Sequence, residues 1–95
     1  MSREDIFAMI NDERDRQEQL WGIEFDNAHT MNDWVTYICR YASSSAKMGE
    51  GVEHFKAQIL KTATICVAAL EAAERLGELP PRHYDDMPVP ANLTA

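Results

Sequence analysis

The sequence predicts an all-α protein: a helical bundle of three principal helices, with a long central third helix and an extended Pro-containing C-terminal tail. Apolar residues recur at helical spacing over residues 52–76. Helix-capping residues precede two further segments, and glycines separate the segments from one another. We therefore expect one helical bundle domain over residues 1–77 and a tail over residues 78–95.

The first helix is predicted over residues 3–21. Ser2 is a suitable N-cap, and Asp5 lies three residues further on, as in a capping box. Gly22 suits the left-handed position that follows a last helical turn. Residues 23–29 are then expected to form a loop, because Asp26 and Asn27 favour turns.

A polar interruption divides the apolar face of this first helix. The face begins with Ile6, Phe7, Met9 and Ile10. One turn later the same face carries Glu13, Arg14 and Gln17. Either the helix rises into solvent or pairs these groups across a helix contact, or the groups face a polar cavity. The stripe alone favours the first interpretation.

The second helix is predicted over residues 31–48. Thr30 and Asp33 form a second capping box. The expected inward face consists of Trp34, Val35, Ile38, Tyr41, Ala42 and Ser45. Gly49 and Gly51 separate this helix from the next.

The third helix, over residues 52–76, carries two apolar rows. The first row is Phe55, Ile59, Cys66, Ala69, Ala73 and Leu76. The second row is Leu60, Ala63, Val67 and Leu70. A helix with two apolar rows packs on two sides. We expect other helices of the chain on one row and a second copy on the other, giving a homodimer or a larger assembly. Gly77 is the expected left-handed glycine at the end of this helix.

Composition limits the function classes. The formal net charge of -7 argues against binding to the nucleic-acid backbone. No uncharged apolar run reaches the ~20 residues that a membrane span requires. With no signal peptide, the two cysteines are expected to be reduced thiols in the cytoplasm. The proline-containing tail is either laid across a neighbouring subunit or disordered, and the sequence leaves both possibilities open.

Residue spacing alone predicts little chemistry. The three histidines show no metal-ligand spacing, and no serine or cysteine lies in a nucleophile turn. Glu50 with Glu53, and Glu71 with Glu74, have an i, i+3 spacing that can bind Mg²⁺. Both pairs lie near predicted helix ends, where surface glutamates are common. We therefore predict no catalytic residue and no metal ligand.

The order of several residues resembles a known family. An ERxRQxxxWG string is formed by Glu13, Arg14, Arg16, Gln17, Trp21 and Gly22. An Asp-Asn-Ala-His-Thr segment, a tryptophan and an Ala-rich helix follow it. This order is similar to small phage and prophage proteins related to the all-α nucleoside triphosphate pyrophosphohydrolases, the MazG-like group. The resemblance implies a bundle that dimerises or tetramerises. Active members cleave a nucleoside triphosphate to monophosphate and pyrophosphate, holding Mg²⁺ with an ExxE pair and an ExxD pair.

The chain departs from this family at the metal site. The second acidic pair falls on Gln58 and Lys61, and the first falls near Arg40 and Ser43. Positive groups repel Mg²⁺, which needs oxygen ligands. The leading hypothesis is a catalytically degenerate MazG-like protein of phage origin in the host cytoplasm. It would bind a nucleotide or another phosphate-bearing ligand without hydrolysis and without a cofactor.

The candidate ligand-binding residues are Glu13, Arg14, Gln17, Trp21, His29, Trp34, Arg40, Gln58 and Lys61. The cationic members would donate charge-assisted hydrogen bonds to phosphate, and Trp21, Trp34 or Tyr37 would offer a stacking face. We expect Arg14, Gln17 and Trp21 to line one pocket against the third helix, near Lys61.

Two other functions remain open from the sequence. The alternative is an acidic protein-interaction module that inhibits or modulates a host enzyme or defence factor. The third is an active pyrophosphohydrolase that binds Mg²⁺ through carboxylates such as Glu13, Glu50 and Glu53.

Overall fold

Three helices follow one another in the computed structural model, which describes residues 1–80. They are α1 (Arg3–Asn27), α2 (Met31–Ser45) and α3 (Gly51–Leu76). No strand occurs within residues 1–80, so the prediction of an all-α fold with a long third helix is confirmed. Most of the predicted tail, residues 81–95, lies outside the described residues. None of the described helices is long and apolar enough to cross a membrane.

Both predicted capping boxes are present. The Ser2 hydroxyl accepts a hydrogen bond from the Asp5 amide at 3.1 Å, and the Asp5 carboxylate accepts one from the Ser2 amide at 3.0 Å. Thr30 and Asp33 make the same reciprocal pair at 3.1 and 2.9 Å. At the end of α3, Gly77 adopts the predicted left-handed conformation, with φ 75° and ψ -24°. These local signals fix where the helices begin and where α3 ends.

The loop predicted over residues 23–29 is wrong for residues 23–27, and only residues 28 and 29 lie outside a helix. The chain turns at Gly22 and then continues as helix to Asn27. Gly22 has φ 80° and ψ 169°, an extended region of positive φ that essentially only glycine adopts, and not the left-handed helical region we predicted. The turn is sharp. Arg14 Nη2 lies 2.8 Å from Asp26 Oδ2, whereas twelve residues of straight helix would span about 18 Å.

The predicted inward face of α2 is only partly correct. Trp34 and Ser45 are buried, but Val35 remains 57% exposed and Ala42 is exposed. The helix also ends at Ser45, three residues before the predicted end at residue 48. The inward face is narrower than predicted because α2 packs against α3 and not against α1.

The helices form an open arrangement around α3. Both α1 and α2 pack against α3, and among the described residues they do not pack against each other. The buried apolar core is small, consisting of Trp34, Ala68 and Ala72. An open cleft therefore remains between α1 and α2.

The row of α3 that packs within the chain is one we did not predict. Thr64, Ala68 and Ala72 are buried along α3, and Thr64 has no exposed surface. The Thr64 hydroxyl donates a hydrogen bond to the Leu60 carbonyl at 2.7 Å, so its polar atom is satisfied. Short side chains make this contact because they let helix backbones approach closely. The predicted rows were apolar residues at helical spacing, and two of their large members, Phe55 and Leu70, remain exposed.

Replacing Gly22 tests the turn within α1. Gly22→Ala should lower the free energy of unfolding by about 1–3 kcal/mol, the usual cost of strained backbone. An added Cβ would meet no atom within 4 Å, so the cost arises from the backbone conformation alone. Urea titration followed by circular dichroism measures it. Gln19→Ala, at an exposed position of the same helix, is the control and should have little effect. Equal stability of Gly22→Ala and the wild type would contradict the turn.

Candidate functional site

A cavity of about 370 Å³ occupies the cleft between α1 and α2. One of its sides carries Glu13, Gln17, Trp21 and Phe25, which follow one another at intervals of four residues. Glu13, Gln17 and Trp21 share one face of the straight part of α1, and Phe25 joins them after the turn at Gly22 by stacking on Trp21. The residues from α3 are Lys61, Ile65 and Ala68. The volume lies within the ~300–1,000 Å³ typical of small-molecule sites.

Aromatic rings run continuously along the cavity from α1 to α2. The Trp21 and Phe25 centroids are 6.1 Å apart and stacked. The His29 ring lies 4.6 Å from Phe25, 4.7 Å from Trp34 and 5.4 Å from Tyr37, measured between centroids. Tyr41 also lines the cavity. Offset, tilted and edge-on contacts of this kind are favourable between aromatic rings. The row gives the cavity several π surfaces.

His29 joins the two helices within this aromatic row. Its ring is buried, and Nδ1 lies 2.7 Å from the Phe25 carbonyl oxygen. A carbonyl oxygen only accepts, so Nδ1 carries the hydrogen and donates it. This bond fixes the ring orientation at the point where the chain passes from α1 to α2.

The indole nitrogen of Trp34 is an unpaired donor. Trp34 is 5% exposed, and its Nε1 has no hydrogen-bond partner among the described residues. Buried polar groups normally have a partner, and a missing one calls for an explanation. Trp34 also lines the cavity, but its Nε1 has essentially no exposed surface of its own.

Charged residues occupy another part of the cavity. Arg16 donates two hydrogen bonds to the Glu13 carboxylate, at 2.9 and 2.6 Å. The Arg16 hydrogen bond lowers the pKa of Glu13; burial opposes this shift, and the charges of Arg16 and Lys61 and a hydrogen bond from Gln17 reinforce it. Glu13 is therefore ionised at neutral pH. The lining thus carries two cations, Arg16 and Lys61, and two carboxylates, Glu13 and Asp26; each carboxylate is paired with an arginine, Glu13 with Arg16 and Asp26 with Arg14.

Lys61 is the cation available to a ligand in this region. It lines the cavity from α3 and is partly buried. Among the described residues, Lys61 forms no salt bridge with a carboxylate. Its charge acts on Glu13 from a greater distance. An anionic group in the cavity would reach Lys61 without displacing an ion pair.

Arg14 is a structural residue, contrary to its predicted place in the pocket. Its Nη2 lies 2.8 Å from Asp26 and its Nε 2.6 Å from Glu71. Burial lowers the pKa of Arg14, but hydrogen bonds and charges from Glu71 and Asp26 outweigh it and raise the pKa overall. Arg14 does not line the cavity. Of the two interpretations of the polar interruption, ion pairing across a helix contact holds for Arg14. Glu13 and Gln17 instead face the cavity.

Two other predicted residues lie elsewhere. Gln58 accepts a hydrogen bond from the Ser44 hydroxyl at 3.0 Å, which connects α2 and α3, and it does not line the cavity. Arg40 is exposed and also lies outside the cavity lining. The predicted residues that the structure does bring together are Glu13, Gln17, Trp21, His29, Trp34 and Lys61.

Sequence reasoning missed several lining residues. Phe25 and Asp26 were assigned to a loop, and Arg16 was part of the string without a predicted role. The spacing 13, 17, 21 stops at the turn of Gly22, so helical periodicity gave no signal for Phe25. For Asp26, a buried arginine partner could not be read from spacing.

Carboxylates do not cluster around this site. Within residues 1–80, no group of three or more His, Cys, Asp or Glu side chains is arranged to hold a metal ion. Three glutamates of the two i, i+3 pairs form ion pairs with arginine or lysine side chains. Glu53 lies 3.6 Å from Lys56, Glu50 3.8 Å from Lys47, and Glu71 2.6 Å from Arg14.

This chain matches no protein-family model, no curated protein and no solved structure. The MazG-like resemblance therefore stays a prediction from the residues. The candidate site is argued from its own geometry.

Two arginines allow a matched test of structure against surface. Arg14→Ala should lower the free energy of unfolding by about 3–5 kcal/mol, because it leaves the buried Asp26 carboxylate without its partner. Arg16→Ala should leave stability nearly unchanged, because its pair with Glu13 is exposed on the arginine side. Urea denaturation of both variants measures the difference. Equal effects of the two substitutions would contradict the structural role of Arg14.

Proposed function

We propose that this chain binds a nucleotide in the cleft between α1 and α2 and does not hydrolyse it. The observation that carries the proposal is a cavity lined by a continuous row of aromatic rings, with Lys61 facing the same space. The base of a nucleotide is planar and apolar on its faces, and its phosphates are anionic. The cleft offers a complementary surface to each part.

The aromatic row suits a nucleobase. Stacking of a base on an aromatic side chain contributes about 1–3 kcal/mol. Trp21, 55% exposed, and Tyr37, 38% exposed, present accessible ring surface. Trp34 belongs to the same lining.

The charged part of the cleft suits phosphate. Lys61 is available because it makes no ion pair with the described carboxylates. Arg16 lines the same cavity and is bound to Glu13. Hydrogen bonds between ionised donors and phosphate oxygens are about twice as strong as neutral ones. The chain's net charge of -7 does not oppose this, because the cations act locally.

The same residues argue against hydrolysis. Lys61 stands where the resemblance places an acidic metal ligand, and a cation there repels Mg²⁺. The carboxylates in the cavity lining are Glu13 and Asp26. Each is held by an arginine, Glu13 by Arg16 and Asp26 by Arg14. We therefore propose that the chain is a catalytically degenerate MazG-like accessory protein of phage origin that acts in the host cytoplasm.

Isothermal titration calorimetry tests the binding site. Nucleoside triphosphates and monophosphates should bind, and the matching nucleosides should bind more weakly because they lack phosphate. Lys61→Ala should weaken nucleotide binding by about 1.5–3 kcal/mol, or roughly 10- to 150-fold. Lys56→Ala, an exposed lysine of α3 outside the cavity lining, is the matched control and should bind normally. No binding of any nucleotide would contradict the proposal and favour the acidic interaction module.

Trp21→Ala provides a second arm of the same experiment. Because the Trp21 ring is exposed, its removal should weaken binding while leaving the melting temperature nearly unchanged. A variant that loses stability but binds normally would assign Trp21 to the fold and not to the ligand.

Hydrolysis is tested separately with each common nucleoside triphosphate and Mg²⁺ or Mn²⁺. We expect no pyrophosphate release above background. Turnover in the usual enzyme range of ~1–10³ s⁻¹ would refute this and support the active pyrophosphohydrolase. Loss of that turnover in Glu13→Gln would then identify the carboxylate responsible.

A further inference from the structure

The cavity between α1 and α2 has an aromatic end and a charged end. Trp21 stacks on Phe25 at the aromatic end. Glu13 precedes Trp21 on the same face of α1 by eight residues, or about 12 Å along the helix axis. Arg16 binds Glu13, and the charge of Lys61 also lowers the pKa of Glu13, so both cations belong to the charged end. A nucleotide that uses both ends stacks its base near Trp21 and directs its phosphate towards Lys61.

The charges of the lining leave one cation uncommitted. Two positive charges, from Arg16 and Lys61, are balanced by two negative charges, from Glu13 and Asp26. Arg16 is held by two hydrogen bonds to the Glu13 carboxylate. Lys61 forms no salt bridge with a described carboxylate. Within the described residues of the lining, an anionic ligand therefore meets a single available positive charge.

We propose that the cleft selects a nucleoside monophosphate over the corresponding triphosphate, an inference that rests on the proposed nucleotide site. A phosphate monoester carries about 1.5 to 2 negative charges at pH 7. Lys61 can meet this group with a charge-assisted hydrogen bond. Each further phosphate adds negative charge, and the described lining holds no second uncommitted cation to meet it.

Glu13 is the group that disfavours a longer phosphate chain. The charge of Lys61 acts on Glu13, so a phosphate chain held by Lys61 extends close to the Glu13 carboxylate. The hydrogen bond from Arg16 lowers the pKa of Glu13, which keeps the carboxylate ionised at neutral pH. Like charges at this distance repel. Arg16 could turn to the added phosphates only by leaving Glu13, whose side chain is 17% exposed, without its partner.

A protein-bound Mg²⁺ is not available to offset this repulsion. Mg²⁺ that accompanies a triphosphate is usually held by one or two carboxylates together with the phosphates. In this cleft, Glu13 and Asp26 are each bound to an arginine. Within residues 1–80, no group of three or more His, Cys, Asp or Glu side chains is placed to hold a metal ion. A monophosphate needs no such ion.

Isothermal titration calorimetry in EDTA, with the mono- and triphosphate of each common base, tests the selectivity. The monophosphate should have a dissociation constant roughly 3- to 30-fold lower than that of the triphosphate. Added salt should narrow this ratio, because it screens charges in an open site. A triphosphate that binds as tightly as the monophosphate, or more tightly, overturns the inference and leaves the nucleotide site standing. No binding of any nucleotide rejects the proposed function itself.

Glu13→Gln tests whether this carboxylate sets the selectivity. The substitution removes the negative charge and releases Arg16, so triphosphate affinity should rise more than monophosphate affinity. The ratio of the two dissociation constants should fall by about 3- to 10-fold. Asp12→Asn is the matched control, because it also removes one negative charge from α1 but is exposed and outside the lining. Its ratio should match that of the wild type.

Circular dichroism shows whether Glu13→Gln keeps its helices. An unchanged ratio in the folded variant overturns the role of Glu13. If the variant unfolds, the salt series on the wild-type chain decides: a ratio that salt does not narrow would show that charge is not the basis of selection.

Discussion

The buried guanidinium of Arg14 is the interaction on which the arrangement of α1 depends. A charge removed from water must be paired, and a partner lost from such a pair is expensive. Arg14 meets this requirement with Asp26, from the folded-back end of its own helix, and with Glu71 from α3. The chain can bring Asp26 to Arg14 only by turning at Gly22. The same turn carries Phe25 and His29 towards α2, where they form part of the cavity lining. A structural ion pair therefore positions the aromatic row of the candidate site.

The structure is open because α1 and α2 each pack against α3 but not against each other. α1 and α2 reach α3 over a row of short side chains and do not close on each other. In a bundle with all helices in mutual contact, the aromatic rings between α1 and α2 would fill a common core. Here they line a cleft, and the indole nitrogen of Trp34 lacks a partner among the described residues. The missing contact between α1 and α2 reduces the buried core of the single chain. It also leaves the cavity in which we propose that a ligand binds.

Local signals in the sequence were sufficient for the fold class and for most helix boundaries. Capping boxes at Ser2 and Thr30 and the terminal glycine Gly77 depend on contacts within a few residues, so spacing predicts them. Packing depends on partners that spacing does not name. The buried row of α3 is built from Thr64, Ala68 and Ala72; α3 is alanine-rich on several sides, so an apolar pattern does not single out this row. The role of Arg14 was likewise hidden, because Glu71 lies 57 residues away in the sequence. The string that contains it still located the cavity through Glu13, Gln17 and Trp21.

The two sides of α3 carry different groups. Two residues along a helix correspond to a rotation of about 200°, so Lys61 points away from Ile59. Lys61 lines the cavity with Ile65 and Ala68, whereas Ile59, on the other side of α3, is 40% exposed. One helix can support both surfaces because its apolar residues extend around more than one face. Its small residues pack within the chain, several of its large residues remain exposed, and Lys61 carries charge into the cleft.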